Sequence, residues 1–285
     1  MTMRRRLPIM KASNVWQYAV LLLFAFIFGF PLLWTVYSSF KQNPQIIKTV
    51  WALPTIPLST KGYEAVLAND DFGVFYRNSL ILTFVSAPLV TLVAALAAFG
   101  FARVRFPGRE FFFYLFVMGI VIPVHVTLIP LFILMRDLSL LGSLFSVVLA
   151  LMAFSLPVSI FILRGFFEQI PLELEEAARI DGVSTFGLFW RIFLPLARPA
   201  LTTVLILAGV GAWNEFLFTL TFVGINNDAY TLPLGIATFV KSLGVTYLDR
   251  MFAGLTLTVF PILIFYFVMQ KQIIKSLTAG ALSGT

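Results

Sequence analysis

Cysteine is absent from this 285-residue chain, and histidine occurs once. The first absence excludes disulfides and thiolate chemistry, and the two together exclude an HExxH helix and a conventional zinc site. No GxxxxGK stretch followed by Ser or Thr is present, so the chain has no phosphate-binding loop of its own. A GxSxG elbow is missing too, and a single His gives no Ser/His/Asp arrangement. Charge is equally scarce: Asp, Glu, Lys and Arg make up 12% of the residues, far below the share in a soluble domain.

What fills the chain instead is apolar. Hydrophobic residues reach 60% and the mean hydropathy is +0.96. Uncharged runs extend from Ala12 to Phe40, Asn78 to Ala102 and Leu138 to Leu163. Phe111–Met135 is broken only by His125, Ala200–Val223 only by Glu215, and Met251–Met269 is a sixth run. A helix needs roughly 20 apolar residues to cross the hydrocarbon core. The runs predict six spans, at about 15–38, 78–102, 111–135, 142–163, 200–222 and 251–270. Their continuity excludes a β-barrel, whose short strands alternate in and out. The expected fold is an all-α membrane protein, a single domain over 1–285 with six transmembrane helices.

With the N-terminus inside, 13 basic residues fall on cytoplasmic segments and 7 outside, as the positive-inside rule requires. Both termini are then cytoplasmic. The same asymmetry accounts for the sequence pI of 9.8, so no nucleic-acid partner is implied; the partner is lipid. The first run follows Arg4, Arg5 and Arg6 but is too long for a secretory signal and lacks a small-residue cleavage site, so an uncleaved span is expected. Proline stands in the spans at Pro31, Pro88, Pro123, Pro130, Pro157 and Pro261. Pro123 and Pro130 bracket His125 and single out the third span for a bend.

The polar stretch 171–195 lies between two spans on the cytoplasmic side. Pro171 suits the first position of a helix, and Glu173, Glu175 and Glu176 suit its positively polarised start. Glu175 and Arg179 are spaced for an i,i+4 pair. Gly182 can take the left-handed conformation that ends a helix, and Ser184 or Thr185 can cap the next. Phe186, Phe189, Trp190 and Phe193 then share one face of a second helix. The result is a helix–turn–helix whose aromatic crest suits a groove in another protein.

Glu176-Ala177-Ala178, then Asp181-Gly182, then Ile192-x-Leu194-Pro195 resembles the coupling motif of ATP-binding-cassette importer permeases. The resemblance covers most of the chain. Asn78-Ser79-Leu80, Phe106-Pro107-Gly108-Arg109, Trp213-Asn214-Glu215-Phe216, Thr231-Leu232-Pro233 and the tail Leu277–Ala281 are similar to the carbohydrate-uptake, maltose-type branch. The tail departs from that pattern at Ser276, where glycine is usual, and at Ser283, where lysine is usual.

The resemblance implies the shorter, six-span permease of a sugar or polyol importer in a bacterial or archaeal inner membrane. It implies three partners: a second homologous permease, a cytoplasmic ATPase dimer and an extracytoplasmic substrate-binding protein. ATP and Mg would bind in the ATPase, with no cofactor on this chain and no catalysis by it. The ATPase-coupling residues would be Glu176, Ala177, Ala178, Asp181, Gly182, Phe186, Phe189, Trp190, Ile192, Leu194 and Pro195.

Ionisable groups inside a span are functional candidates by default. Glu215, beside Trp213 and Asn214, offers a ring flanked by an amide and a carboxylate to sugar hydroxyls, or else pairs to hold a helix end or gate. His125 lines the path or bonds a carbonyl freed by Pro123 or Pro130. With Asn78 these residues are the candidate translocation path or gate. The competing class is a self-sufficient secondary transporter or channel, which would carry more intramembrane charge and inverted repeats. Reporter fusions after Asn69 and Asn226 are expected to read outside and one after Thr285 inside; an inside signal at Asn69 or Asn226 overturns the topology.

Overall fold

The computed structural model describes residues 12–224, 226–239 and 247–282, with the side chains of 12–14, 70, 239, 268 and 271–282 left out. Arg4, Arg5, Arg6, Lys11, Lys241 and Ser283 of the sequence argument lie outside the described residues, as do the side chains of Lys271, Lys275 and Ser276–Ala281.

Among the described residues every regular element is helical. In chain order these are α1 (Ala12–Ser38), α2 (Asn43–Lys48), α3 (Lys61–Leu67), α4 (Asp70–Arg103), α5 (Arg109–Met118), α6 (Val124–Asp137) and α7 (Leu144–Glu168). Then come α8 (Leu172–Ile180), α9 (Thr185–Leu188), α10 (Leu194–Leu196), α11 (Arg198–Trp213), α12 (Leu232–Phe239) and α13 (Leu248–Leu282). Among the described residues four helices are long and apolar enough to cross a membrane, or up to six if two bent pairs each count as one span.

The helices sort into two compact units. The first holds, of the described residues, 12–68, 239 and 247–257. There α1 leaves Leu21, Leu22, Phe26 and Phe28 exposed, a surface for lipid or another subunit rather than for its own core. The segment that follows α1 folds into α2 and α3. Lys41 is 1% exposed; its Nζ donates to Val50 O at 2.9 Å and lies 4.9 Å from the Tyr37 ring. Loss of water holds its pKa below the ordinary lysine value. Trp34 meets Phe252 edge-on at 5.1 Å, and Asn43 accepts from the Asp249 amide at 3.0 Å, fastening the start of α13.

The second unit, 69–238 with 258 onward, is built around α4, which packs along α7 and α11. Ala94, Ala95 and Ala98 lie fully buried on α4 against Leu163, Phe167 and Val204. Small residues let backbones approach closely where lipid supplies no hydrophobic drive between helices. The third expected span is bent, as its prolines predicted, by 105° between Arg109–Val121 and Val124–Asp137. The bend lies at Pro123, while Pro130 sits inside an unbroken α6. The fifth run is corrected: α11 stops at Trp213, and a π-helical turn Thr219–Val223 follows the gap.

One close approach depends on glycine. A Cβ on Gly235 of α12 would overlap the Phe75 ring of α4. Gly235→Ala is expected to cost about 1–3 kcal/mol through overpacking, read as a lower melting temperature in detergent. Adding Phe75→Leu should recover most of the loss. An unchanged melting temperature for the single variant would refute this packing.

Candidate functional site

The 171–195 segment is built from local rules. Pro171 occupies the N-cap of α8, one residue earlier than expected, and Glu173 and Glu175 fill the first turn. Arg179 donates to Glu175 Oε1 at 3.1 Å from Nε and 2.8 Å from Nη2, the expected i,i+4 pair. Gly182 has φ +79°, with its amide on Arg179 O at 3.0 Å and the Val183 amide on Ala178 O at 2.9 Å. This is a Schellman ending, which needs a left-handed residue at that point. Ser184 Oγ accepts from the Gly187 amide at 3.1 Å and starts α9. A π-helical turn Phe189–Phe193 then leads into α10, with Pro195 in its first turn.

The single aromatic crest is corrected. Phe189 and Phe193 are 1% and 0% exposed, with the Phe99 ring 5.4 Å and 5.1 Å from theirs. Phe186 and Trp190, 66% and 42% exposed, touch edge-on at 5.9 Å and alone form the outward strip. Two apolar demands compete for one helix face, and the core takes the half nearest α4. Of the remaining motif residues, Glu176, Ala177, Asp181, Gly182 and Pro195 are exposed, Ala178 is buried, and Ile192 and Leu194 are half-buried against the core.

Arg103, which entered the sequence analysis only as a topological charge, is the polar centre of this region. Its side chain is 6% exposed, and Nη2 donates to both Phe167 O and Ile170 O at the end of α7. Nη1 stands 3.8 Å from Glu175 Oε2, and the guanidinium lies 5.1 Å from the Phe193 ring centre. Nearby, Arg164 binds both Glu110 oxygens at 2.8 and 2.9 Å and Glu168 at 2.8 Å, over the Phe113 ring. No local sequence signal distinguishes Arg103 from other helix-end arginines, because its acceptors lie 64 and 67 positions away.

At the other end of α4, the path candidates separate. Asn78 Nδ2 donates to Asp228 O at 2.8 Å and Tyr230 O at 2.9 Å, and Ser79 Oγ accepts from the Leu232 amide at 2.8 Å. Together they clip the loop before α12 onto α4. Glu215 is buried and turns its carboxylate back to the Phe218 and Thr219 amides, while its own carbonyl accepts from Thr231 at 3.3 Å. It caps the helical turn that follows the break after α11. Asn214 is exposed and returns its amide to Val210 O at 2.9 Å. His125 is exposed in the first turn of α6, and none of the described hydrogen bonds joins it to a freed carbonyl.

Trp213 points another way. It lines a cavity of about 220 Å³ with Thr83, Phe84 and Pro88 of α4, Gly209 of α11 and Phe265 of α13. Trp213 Nε1 and Thr83 Oγ1 are buried there without hydrogen-bond partners. Thr91 and Thr221, by contrast, bond the carbonyl one turn back at 2.8 and 2.7 Å. The expected ring–amide–carboxylate face is therefore dispersed over three directions.

Residues 90–279 match the family described as binding-protein-dependent transport system inner membrane component. The chain is 32% identical over 93% of its length to the diacetylchitobiose uptake system permease protein NgcG of Streptomyces coelicolor, covering 87% of that protein. It is 33% identical over 92% of its length to the trehalose/maltose transport system permease protein MalG of Thermococcus litoralis, covering 94% of it. In fold it is similar to a chain of a bacterial ABC transporter involved in the import of the acidic polysaccharide alginate. That match has a TM-score of 0.78 and 24% identity, over 93% of this chain and 99% of the other.

The cap geometry sets an expectation for Glu215. Glu215→Gln retains an acceptor oxygen and should melt within a degree or two of the parent, whereas Glu215→Leu should lose roughly 0.5–2 kcal/mol, as lost helix caps do. Thermal unfolding of the purified protein distinguishes them, and equal melting of all three would remove the cap.

Proposed function

Since the chain belongs to the family of binding-protein-dependent transport system inner membrane components, the permeases of ATP-binding-cassette sugar importers, we propose that it is the six-span subunit of such an importer. The whole chain would act as one permease domain with both termini in the cytoplasm. It would pair with a second homologous permease and receive an oligosaccharide or related polyol from an extracytoplasmic binding protein. ATP and Mg would be bound and used by a separate cytoplasmic ATPase dimer.

The observation that carries the coupling assignment is the two-sided module over 171–195. Its inner side, Ala178, Leu188, Phe189 and Phe193, is packed into the core, so the module is held to the helices. Its outer side exposes Glu176, Asp181, Phe186 and Trp190 together, a charged and aromatic strip of the kind that docks in a groove. Ala177, Gly182, Ile192, Leu194 and Pro195 set the turn and edges of that strip.

On the opposite side, the cavity lined by Trp213, Thr83 and Phe84 supports a place for it on the sugar path. Asn78 and Glu215 would serve as the frame of the outer gate, with Asn214 and His125 at its two breaks.

Gly182 has no neighbour that a Cβ would meet, so its constraint is the backbone alone. A residue with a Cβ costs roughly 1–2 kcal/mol in that conformation, and a β-branched one re-aims α9. Gly182→Val should abolish sugar uptake in proteoliposomes and loosen the ATPase subunits while the two permeases still co-purify. Glu176→Lys should act similarly by placing positive charge in the opening turns of α8. Normal uptake with the ATPase retained in both variants would defeat the assignment.

A further inference from the structure

Four elements of the second unit meet at Arg103: its own helix α4, the C-terminal end of α7, α8 through Glu175, and the π-helical turn through Phe193. The contribution of α8 to the buried core is small, with only Glu175 and Ala178 buried along its length. Apolar packing of one alanine is non-directional and leaves the pose of a short helix under-determined. Among the described residues, the Arg103–Glu175 contact is the one ion pair that ties α8 to another element. The orientation of α8 therefore follows Arg103.

The donors of Arg103 are divided unequally. Nη2 serves the Phe167 and Ile170 carbonyls, Nε is buried without a partner, and Nη1 is 3.8 Å from Glu175. A charge-assisted N–H···O bond closes at about 2.7–2.9 Å, so an approach of roughly 1 Å by α8 would engage a donor that is now idle. Arginine suits such a task because its planar fork serves two carbonyls and a carboxylate at once, whereas an ammonium is a point donor.

We propose that Arg103 is the positioning residue of the importer: it joins the module to the ends of α4 and α7, and Glu175 closes onto it when the ATPase presses α8 toward the membrane. This rests on the reading of the module as the ATPase contact. It adds that displacement of the module reaches α4 and α7 through one guanidinium, not through the apolar core at large.

The test uses the assembled complex in proteoliposomes with Arg103→Lys, Glu175→Gln, their double variant and Gly182→Val. Arg103→Lys and Glu175→Gln should each co-purify with the ATPase at parental yield. Uptake per assembled complex should fall about ten-fold or more, and stimulation of ATP hydrolysis by loaded binding protein should fall with it. The binding-protein concentration giving half-maximal stimulation should stay the same. Because both variants break one contact, the double variant should be no worse than the poorer single, as coupled sites require.

Losses that multiply in the double variant, or uptake that falls only in proportion to assembly, would leave Arg103 a purely structural residue and overturn the proposal. Uncoupling by Gly182→Val with normal transport by Arg103→Lys would overturn the role of Arg103 alone. Normal transport by both would defeat the coupling assignment on which it rests. Should Arg103→Lys fail to assemble, Glu175→Gln decides: parental coupling in that variant overturns the proposal.

Discussion

Phe167 at the end of α7 and Ile170 in the turn behind it are buried in the protein interior. Arg103 reaches from the end of α4 to take the Phe167 and Ile170 carbonyls. Helix ends leave such groups orphaned, and a buried end without partners is unstable. Once the guanidinium is inside, its own charge needs company, and Glu175 and the Phe193 ring supply it. The end of α7, α8 and Phe193 thus meet at one side chain.

The same demand organises the outer end of the second unit. Where α11 stops at Trp213, the amides of the next turn would be unpaired, and Glu215 takes two of them. Where the loop before α12 passes over α4, Asn78 and Ser79 answer its carbonyls and amide. Polar residues within these apolar runs are spent on backbone groups that an uninterrupted helix would satisfy by itself. Trp213 Nε1 and the Thr83 and Ser86 hydroxyls are among the exceptions, buried without hydrogen-bond partners.

The module divides its aromatic side chains between the core and the surface. Phe189 and Phe193 bind it to the Phe99 and Phe167 rings, and Phe186 and Trp190 remain outside. Burial gives the attachment its strength, while the Arg103–Glu175 contact gives it direction.

By itself the sequence determined the membrane class, the long apolar helices, the left-handed turn at Gly182, the Glu175–Arg179 pair and the Ser184 cap. Each is a matter of composition or of residues within one helical turn, where chemistry acts through a fixed local geometry. The bend at Pro123 was legible for the same reason, since proline removes a donor wherever it stands. The tertiary structure alone decided which half of the aromatic face turned inward and that α11 breaks before Glu215. It also decided that Asn78 clips a loop 150 positions away, and that Arg103 closes α7 across 64. Those outcomes rest on which backbone groups end up buried beside which side chains, and that is settled by helices packing across long chain separations.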